Sequence, residues 1–278
     1  MERREDGFHE LETVVSKIDL VDELVFSAVT AANDIRVRCS DGSLPTDERN
    51  LVWRAATALS RRSGGCRGVA IALTKRIPVG AGLGGGSSDA ATTLATLNGL
   101  WGLGWTVARL VPLAARLGSD VPLFLYSGTV IARGRGEFIE PCRLGWAGWV
   151  VVAMPGLCVP TAAVYGAVRP ADLVPASSAA GFAEVADGPR RSTAGDLMER
   201  SRNGLEAAAF RRFPELADLH GRLERLTGRR WRLCGSGSSF FSAFDEAEEA
   251  AEAARRVSGG IGIRAEAARV IETQADVT

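Results

Sequence analysis

Polar and apolar positions alternate along the first 40 residues. Residues 11–18 and 24–29 follow this period and Ile35-Arg-Val-Arg-Cys39 follows it strictly, which predicts three strands. Asp41-Gly42 supplies a turn. Asp47 then precedes 51–59, where apolar residues recur at helical spacing until Gly64-Gly65. Residues 69–73 form a further predicted strand. A glycine-rich loop over 80–88 leads into a helix carried by Ala90, Ala91, Leu94, Ala95 and Leu97. Thr106 is placed to cap a helix that bends at Pro112 and ends at Leu117-Gly118. Strands are predicted at 123–126, 129–132 and 149–154, the last one buried and ended by Pro155-Gly156. Residues 170–192, rich in Ala, Ser, Gly and Pro, read as a surface loop. Helices follow at 203–211 and 214–226, then a strand at 230–234, a second glycine-serine loop at 235–239 and a strand at 240–244. A helix over 245–257 and a strand near 262–270 complete the chain. Because strands and helices mix without regular β-α alternation, the pattern predicts an α+β protein, divided near residue 148.

Composition narrows the function classes. The 278 residues are 46% hydrophobic and 24% charged, ordinary for a folded domain, and the formal net charge is zero. No electrostatic argument therefore points to nucleic acid or an anionic membrane. Only two of the 33 basic residues are lysines, Lys17 and Lys75. Cysteines 39, 66, 142, 158 and 234 are odd in number and show no C-x-x-C spacing, which reads as reduced thiols in the cytoplasm. His9 and His220 are too few for a His-rich site, so no resident metal is expected. No apolar run approaches the ~20 residues that span a bilayer, and the charged start lacks a signal region.

The sharpest local signal is Pro78-Val-Gly-Ala-Gly-Leu-Gly-Gly-Gly-Ser-Ser-Asp-Ala-Ala91. Glycines at 80, 82, 84, 85 and 86 let backbone N–H groups converge on one anion, and Ser87 and Ser88 add hydroxyl donors. The helix that starts there contributes unpaired N–H groups and the positive end of its dipole. The chemistry is that of a phosphate cradle; a flexible loop or a close helix–strand contact is the plainer alternative. Gly80-x-Gly82-x-x-Gly85 also fits a dinucleotide fingerprint, but no Asp or Glu lies between 90 and 119 to hold a ribose. A Walker loop is excluded because Ser87, not lysine, follows Gly86. Protein-kinase signatures are absent.

The loop resembles the ATP loop of the galactokinase, homoserine kinase, mevalonate kinase and phosphomevalonate kinase superfamily, with the Pro, Leu, Ser pair and Ala pair all in place. Further segments resemble its 4-diphosphocytidyl-2-C-methyl-D-erythritol kinase family. Asp6-Gly-Phe-His-Glu-Leu11 is similar to the segment whose aromatic residue and histidine hold a cytosine, which implies Asp6, Phe8 and His9 at the substrate. Leu117-Gly-Ser-Asp-Val-Pro-Leu-Phe124 is similar to the segment carrying the catalytic aspartate, here Asp120. A carboxylate can orient an acceptor hydroxyl and take its proton, although Gly118-Ser-Asp120 alone reads sooner as a helix-ending turn. Pro155-Gly-Leu-Cys-Val-Pro-Thr-Ala-Ala-Val-Tyr165 implies Thr161 near the substrate and Tyr165 beside the cytosine, and Cys234-Gly-Ser-Gly-Ser-Ser239 implies Gly235 and Ser236 at its border. Lys75 lies just before the loop, where the resemblance puts it near the nucleotide; a surface lysine at a strand end is the plainer reading. Asn203-Gly-Leu-Glu206 departs slightly from a family pattern and receives no catalytic role.

The resemblance implies a two-domain kinase. Residues 1–148 would form a ribosomal-protein-S5-like ATP domain and 149–278 a ferredoxin-like domain. ATP with Mg²⁺ would be the cofactor, a cytidine diphosphate methylerythritol the substrate, and the chain a monomer or weak dimer without nucleic-acid or membrane partners. Members also begin with a strand containing Ala-Lys-(Ile/Leu)-Asn-Leu, which Met1, five residues before Asp6, leaves outside this sequence. Neither lysine occupies that motif. A start set too far downstream is expected in preference to a truncated gene, because nothing else in the constellation is eroded. The alternatives are a sibling kinase of the superfamily or a truncated nucleotide-binding protein without turnover.

Overall fold

The computed structural model describes residues 11–271 apart from 30, 32, 33, 66, 135, 137 and 173–191. Asp6, Phe8 and His9, and most of the expected loop over 170–192, lie outside the described residues. Strands β1 (Leu11–Ser16), β2 (Glu23–Val29) and β3 (Ile35–Cys39) form where alternation predicts them, and β4 (Gly68–Thr74) covers the further strand expected at 69–73. Helices α1 (Leu51–Arg62), α2 (Gly85–Leu100) and α3 (Val107–Leu117) follow the predicted apolar spacing. The order β2-β4-β3 sets β2 antiparallel and β3 parallel to the central strand. Val37, Val69, Ile71 and Leu73 from this sheet pack with Val52, Ala55, Ala56 and Leu59 of α1 and Ala90, Ala91, Leu94 and Leu97 of α2. Four buried alanines at the α1–α2 face let the two helices approach closely, so the core fixes where α2 begins.

A second sheet, β1-β5-β6, places β5 (Thr129–Gly134) between β1 and β6 (Phe138–Cys142). The third has the order β10-β7-β9-β8, formed by β7 (Trp149–Met154), β8 (Arg232–Leu233), β9 (Phe240–Phe244) and β10 (Arg264–Arg269), all antiparallel. One of its faces carries Val151, Ala153, Phe240 and Phe244 against α6 (Glu206–Arg212), α7 (Pro214–Thr227) and α8 (Ala247–Ile261). The other carries Val150, Val152, Met154 and Ala243 against Trp146 and α5 (Ala194–Arg200), with Ile18, Leu20 and Leu83 packed on from the amino-terminal half. Just past β1 and β10, an isolated antiparallel bridge joins Ile18 to Val270.

Several elements differ from the sequence reading. Of residues 123–126, expected as a strand, the first three lie in a 3-10 helix over Val121–Leu125 and Tyr126 caps it. Pro122 has no N–H for a ladder, and the carbonyls of Gly118 and Asp120 accept from Val121 N–H and Leu123 N–H at 3.2 Å each. Asn50, which received no role from sequence, caps α1: its Oδ1 accepts from Val52 N–H at 2.9 Å. Thr106 stands at the cap position of α3 without a side-chain capping bond. β6 was not expected because Pro141 interrupts its pattern, yet an edge strand tolerates proline. Nor were α5 and the single turn α4 (Thr161–Tyr165), both too short for a helical period to show. The last helix runs past the glycine pair to Ile261 and ends at Gly262, whose φ is +79°.

Candidate active site

The first glycine loop is built as an anion seat. Gly80, Gly82 and Gly84 have φ of +68°, +76° and +69°, the left-handed region that glycine alone enters without penalty. Gly84 caps α2 and brings no capping side chain, and the first turn holds no acidic residue. The amides of Gly85, Gly86 and Ser87 therefore stand at the positive end of a 16-residue helix without a helical partner, while Ser88 N–H already bonds Gly84 O at 2.9 Å. Ser87 and Ser88 are half-buried and Gly86 is exposed, so this end is open to a ligand. Leu83 packs its side chain into the apolar cluster of the third sheet, and Pro78 follows the buried Ile77 at the loop's entry.

The two glycine loops touch. A Cβ on Gly82 would fall 2.3 Å from Cys234 O and 2.8 Å from Gly237 O, so only glycine allows this approach. Ser239 N–H donates to Ala81 O at 3.1 Å across the same seam. The second loop is braced by the segment that received no role from sequence. Asn203 Nδ2 donates to Leu233 O at 2.9 Å and Gly235 O at 2.7 Å, and Glu206 Oε1 accepts from Leu233 N–H at 2.8 Å. Ser236 Oγ lies 3.0 Å from Thr161 Oγ1, which ties α4 to the loop, and Ser238 Oγ donates to Leu157 O at 2.7 Å. Burial, with the Glu206 charge beside it, pushes the Cys234 thiol up to about 12, so it stays protonated and inert.

Asp120 opens the 3-10 helix that lies against α2. Phe124 of that helix approaches Gly84 so closely that a Cβ there would sit 2.7 Å from the ring. Asp120 is exposed to solvent, yet surrounding protein desolvates its carboxyl and raises its pKa, the signature of a group in a concavity. Tyr165, half-buried at the end of α4, has its phenol pushed up by burial and by the Asp120 charge. The two residues, 45 apart in sequence, are thus within electrostatic reach of each other. Lys17 donates to Phe124 O at 3.2 Å and to Tyr126 O, and burial lowers its pKa. Lys75 is not the surface lysine of the plainer reading: its side chain is 7% exposed and its ammonium binds Asp22 and Asp89. Among the described residues no cluster of three His, Cys, Asp or Glu side chains could hold a metal.

The GHMP kinases N terminal domain matches residues 50–128 and the GHMP kinases C terminal domain matches 182–260. The 4-diphosphocytidyl-2-C-methyl-D-erythritol kinase of Syntrophotalea carbinolica (strain DSM 2380 / NBRC 103641 / GraBd1) is 39% identical over 95% of this chain and 91% of its own length. The chain belongs to the 4-diphosphocytidyl-2-C-methyl-D-erythritol kinase family of GHMP kinases. The family's enzyme from Shouchella clausii (strain KSM-K16) is 38% identical over 88% of this chain and 80% of that one. A crystal structure of 4-(cytidine 5'-diphospho)-2C-methyl-D-erythritol kinase superimposes with a TM-score of 0.76 at 39% identity, covering 97% of this chain and 93% of the other. Homoserine kinase from Cytophaga hutchinsonii, 20% identical, shares the fold with a TM-score of 0.74 over 94% and 90% of the two chains. This GHMP kinase thus has the two-domain α+β fold of its family and is an ATP-dependent kinase.

Proposed function

We propose that this kinase transfers the γ-phosphoryl group of ATP to the 2-hydroxyl of 4-diphosphocytidyl-2-C-methyl-D-erythritol, in the non-mevalonate isoprenoid route. The observation that carries the reading is the packing of the Asp120 helix on α2, where the Phe124 ring meets Gly84 at the open helix start; it supports a role for the Asp120 carboxylate at that start. Gly80, Gly82, Gly84, Gly85 and Gly86 shape the nucleotide seat; Pro78 and Leu83 hold its ends. Amides of the α2 start and the hydroxyls of Ser87 and Ser88 hold phosphate oxygens. Asp120 orients the acceptor hydroxyl and takes its proton as the new O–P bond forms and the β–γ bridge breaks. The donor chemistry supports ATP: the α2 start offers the amides of Gly85, Gly86 and Ser87, which have no helical partner. Mg²⁺ would enter with the phosphates and neutralise their charge. Thr161, Tyr165, Gly235 and Ser236 line the acceptor side, with Asp6, Phe8 and His9 assigned to the cytosine end from sequence.

We take residues 1–148 as the ATP half and 149–278 as the acceptor half, since the third sheet draws all its strands from the second segment. The chain would work in the cytoplasm as a monomer or weak dimer on a small molecule; no helix among its described residues is long and apolar enough to cross a membrane. The test is ATP consumption with Mg²⁺ and the cytidine substrate. Substrate-dependent turnover that falls roughly 10²–10⁴-fold in Asp120→Asn is expected. Turnover unchanged by that substitution would remove Asp120 from the mechanism, and turnover without the cytidine substrate would remove the acceptor.

A further inference from the structure

Lys75 is the obvious cation beside the phosphate loop, yet its ammonium is already enclosed. Nζ donates to Asp89 Oδ2 at 2.8 Å and to Asp22 Oδ2, and the three side chains are 7%, 4% and 2% exposed. The other oxygen of Asp22 accepts from Ile77 N–H at 2.9 Å and from Arg76 N–H. One ammonium therefore joins three pieces of chain: the residue before β2, the exit of β4, and the second turn of α2. The helix start rests directly on this cluster, for a Cβ on Gly85 would lie 3.3 Å from Lys75 Nζ and 2.8 Å from Ile77 Cγ2. Two carboxylates against one ammonium outweigh the positive field that the lysine could offer a phosphate. Its geometry, by contrast, is fixed on every side.

We infer that Asp22, Lys75 and Asp89 form a positioning triad, which sets the height and tilt of the α2 start so that its amides meet the ATP phosphates. The inference rests on the reading of residues 80–88 as the nucleotide seat. None of the three touches the reacting atoms; they act through Ile77 and Gly85. A lysine that bound phosphate directly would gain from losing a carboxylate competitor, whereas a positioning lysine would lose its anchor. Asp22→Asn separates the two, since the amide oxygen still accepts from Arg76 and Ile77 but the ion pair is gone.

The experiment compares wild type, Asp22→Asn, Lys75→Met and the double variant, by calorimetric titration with Mg-ATP and by steady-state kinetics. A misplaced helix start is expected to raise KM for ATP roughly ten- to hundredfold in each single variant, with KM for the acceptor unchanged. The double variant should be no worse than either single one, because the groups act as a unit. Tighter or unchanged ATP binding in Asp22→Asn would overturn the inference, as would variants that lose only Tm. Removing one partner of a buried pair is destabilising; if Lys75→Met fails to fold, Asp22→Asn decides alone. A wild type that does not bind Mg-ATP would instead overturn the reading of the loop.

Discussion

Asp120 is asked to be charged for chemistry in a place that resists charge. Its folded pKa is raised by desolvation, so the stability it contributes is present in full below the unfolded value and lost as pH rises through the folded one. At neutral pH the ionised group is a cost carried for function. Asp120→Asn should therefore abolish most turnover while leaving Tm at pH 7 equal or higher; a lower Tm in a thermal scan would contradict this account. Asn203 is the opposite case, a residue with no assigned chemistry whose side chain satisfies two carbonyls of the second loop and the Leu205 N–H. Asn203→Ala strands these groups. A loss of about 1–3 kcal/mol is expected in denaturant unfolding, together with a raised KM for the acceptor, because Ser236 sits on the loop it braces and Thr161 is tied to Ser236.

The two glycine loops behave as one element, though the chain separates them by about 150 residues. Their seam is backbone against backbone, so it tolerates no Cβ on the Gly82 side. Gly80 supplies an internal control: its φ of +68° is as unusual as that of Gly82, but a Cβ there meets nothing within 4 Å. Gly80→Ala should cost only the conformational penalty of about 1–2 kcal/mol. Gly82→Ala adds a collision with Cys234 O and Gly237 O, and should part the loops. Thermal shift with Mg-ATP reads the difference. At a hundredfold excess over Kd the wild type gains about 2.7 kcal/mol; Gly80→Ala should keep most of that gain and Gly82→Ala should lose it. Equal losses would show that the seam plays no part in holding the seat.

Across the whole molecule, the amino-terminal half buries acid where the halves and the loop converge. Burial pushes the Asp89 carboxyl up to about 6 in spite of Lys75. The sign is that of a raised acid: its contribution is complete below the unfolded carboxylate value and disappears as pH climbs through about 6. Asp89→Asn should flatten the fall of Tm between about pH 4 and pH 7, since the amide keeps a hydrogen bond to Lys75 without titrating. A Tm profile parallel to wild type would place the titration elsewhere. The halves are also stitched at their outer strands, where Asp19 N–H donates to Arg269 O at 3.0 Å and Arg264 donates to Arg76 O at 2.7 Å. Leu83 adds an apolar anchor from the phosphate loop into the second half, so nucleotide and acceptor groups rest on one shared framework.

Amino-acid order by itself determined the elements that carry their own period. Alternation marked β1, β2 and β3, helical spacing marked α1, and glycine and serine clustering marked both loops, because these signals are local and repeat within a few residues. The motif around Asp120 and the loop over 80–88 likewise announced the family. Tertiary structure decided what depends on partners far along the chain. The run after Asp120 became a 3-10 helix because Pro122 cannot pair in a sheet and Phe124 packs on Gly84. Lys75 became a buried triad member because folding brings Asp22 from 53 residues away. Asn203 gained its role only when the carbonyls of Leu233 and Gly235, 30 and 32 residues on, arrived opposite its amide. Such contacts have no periodic trace, since their energy arises when distant polar groups must be satisfied together on leaving water.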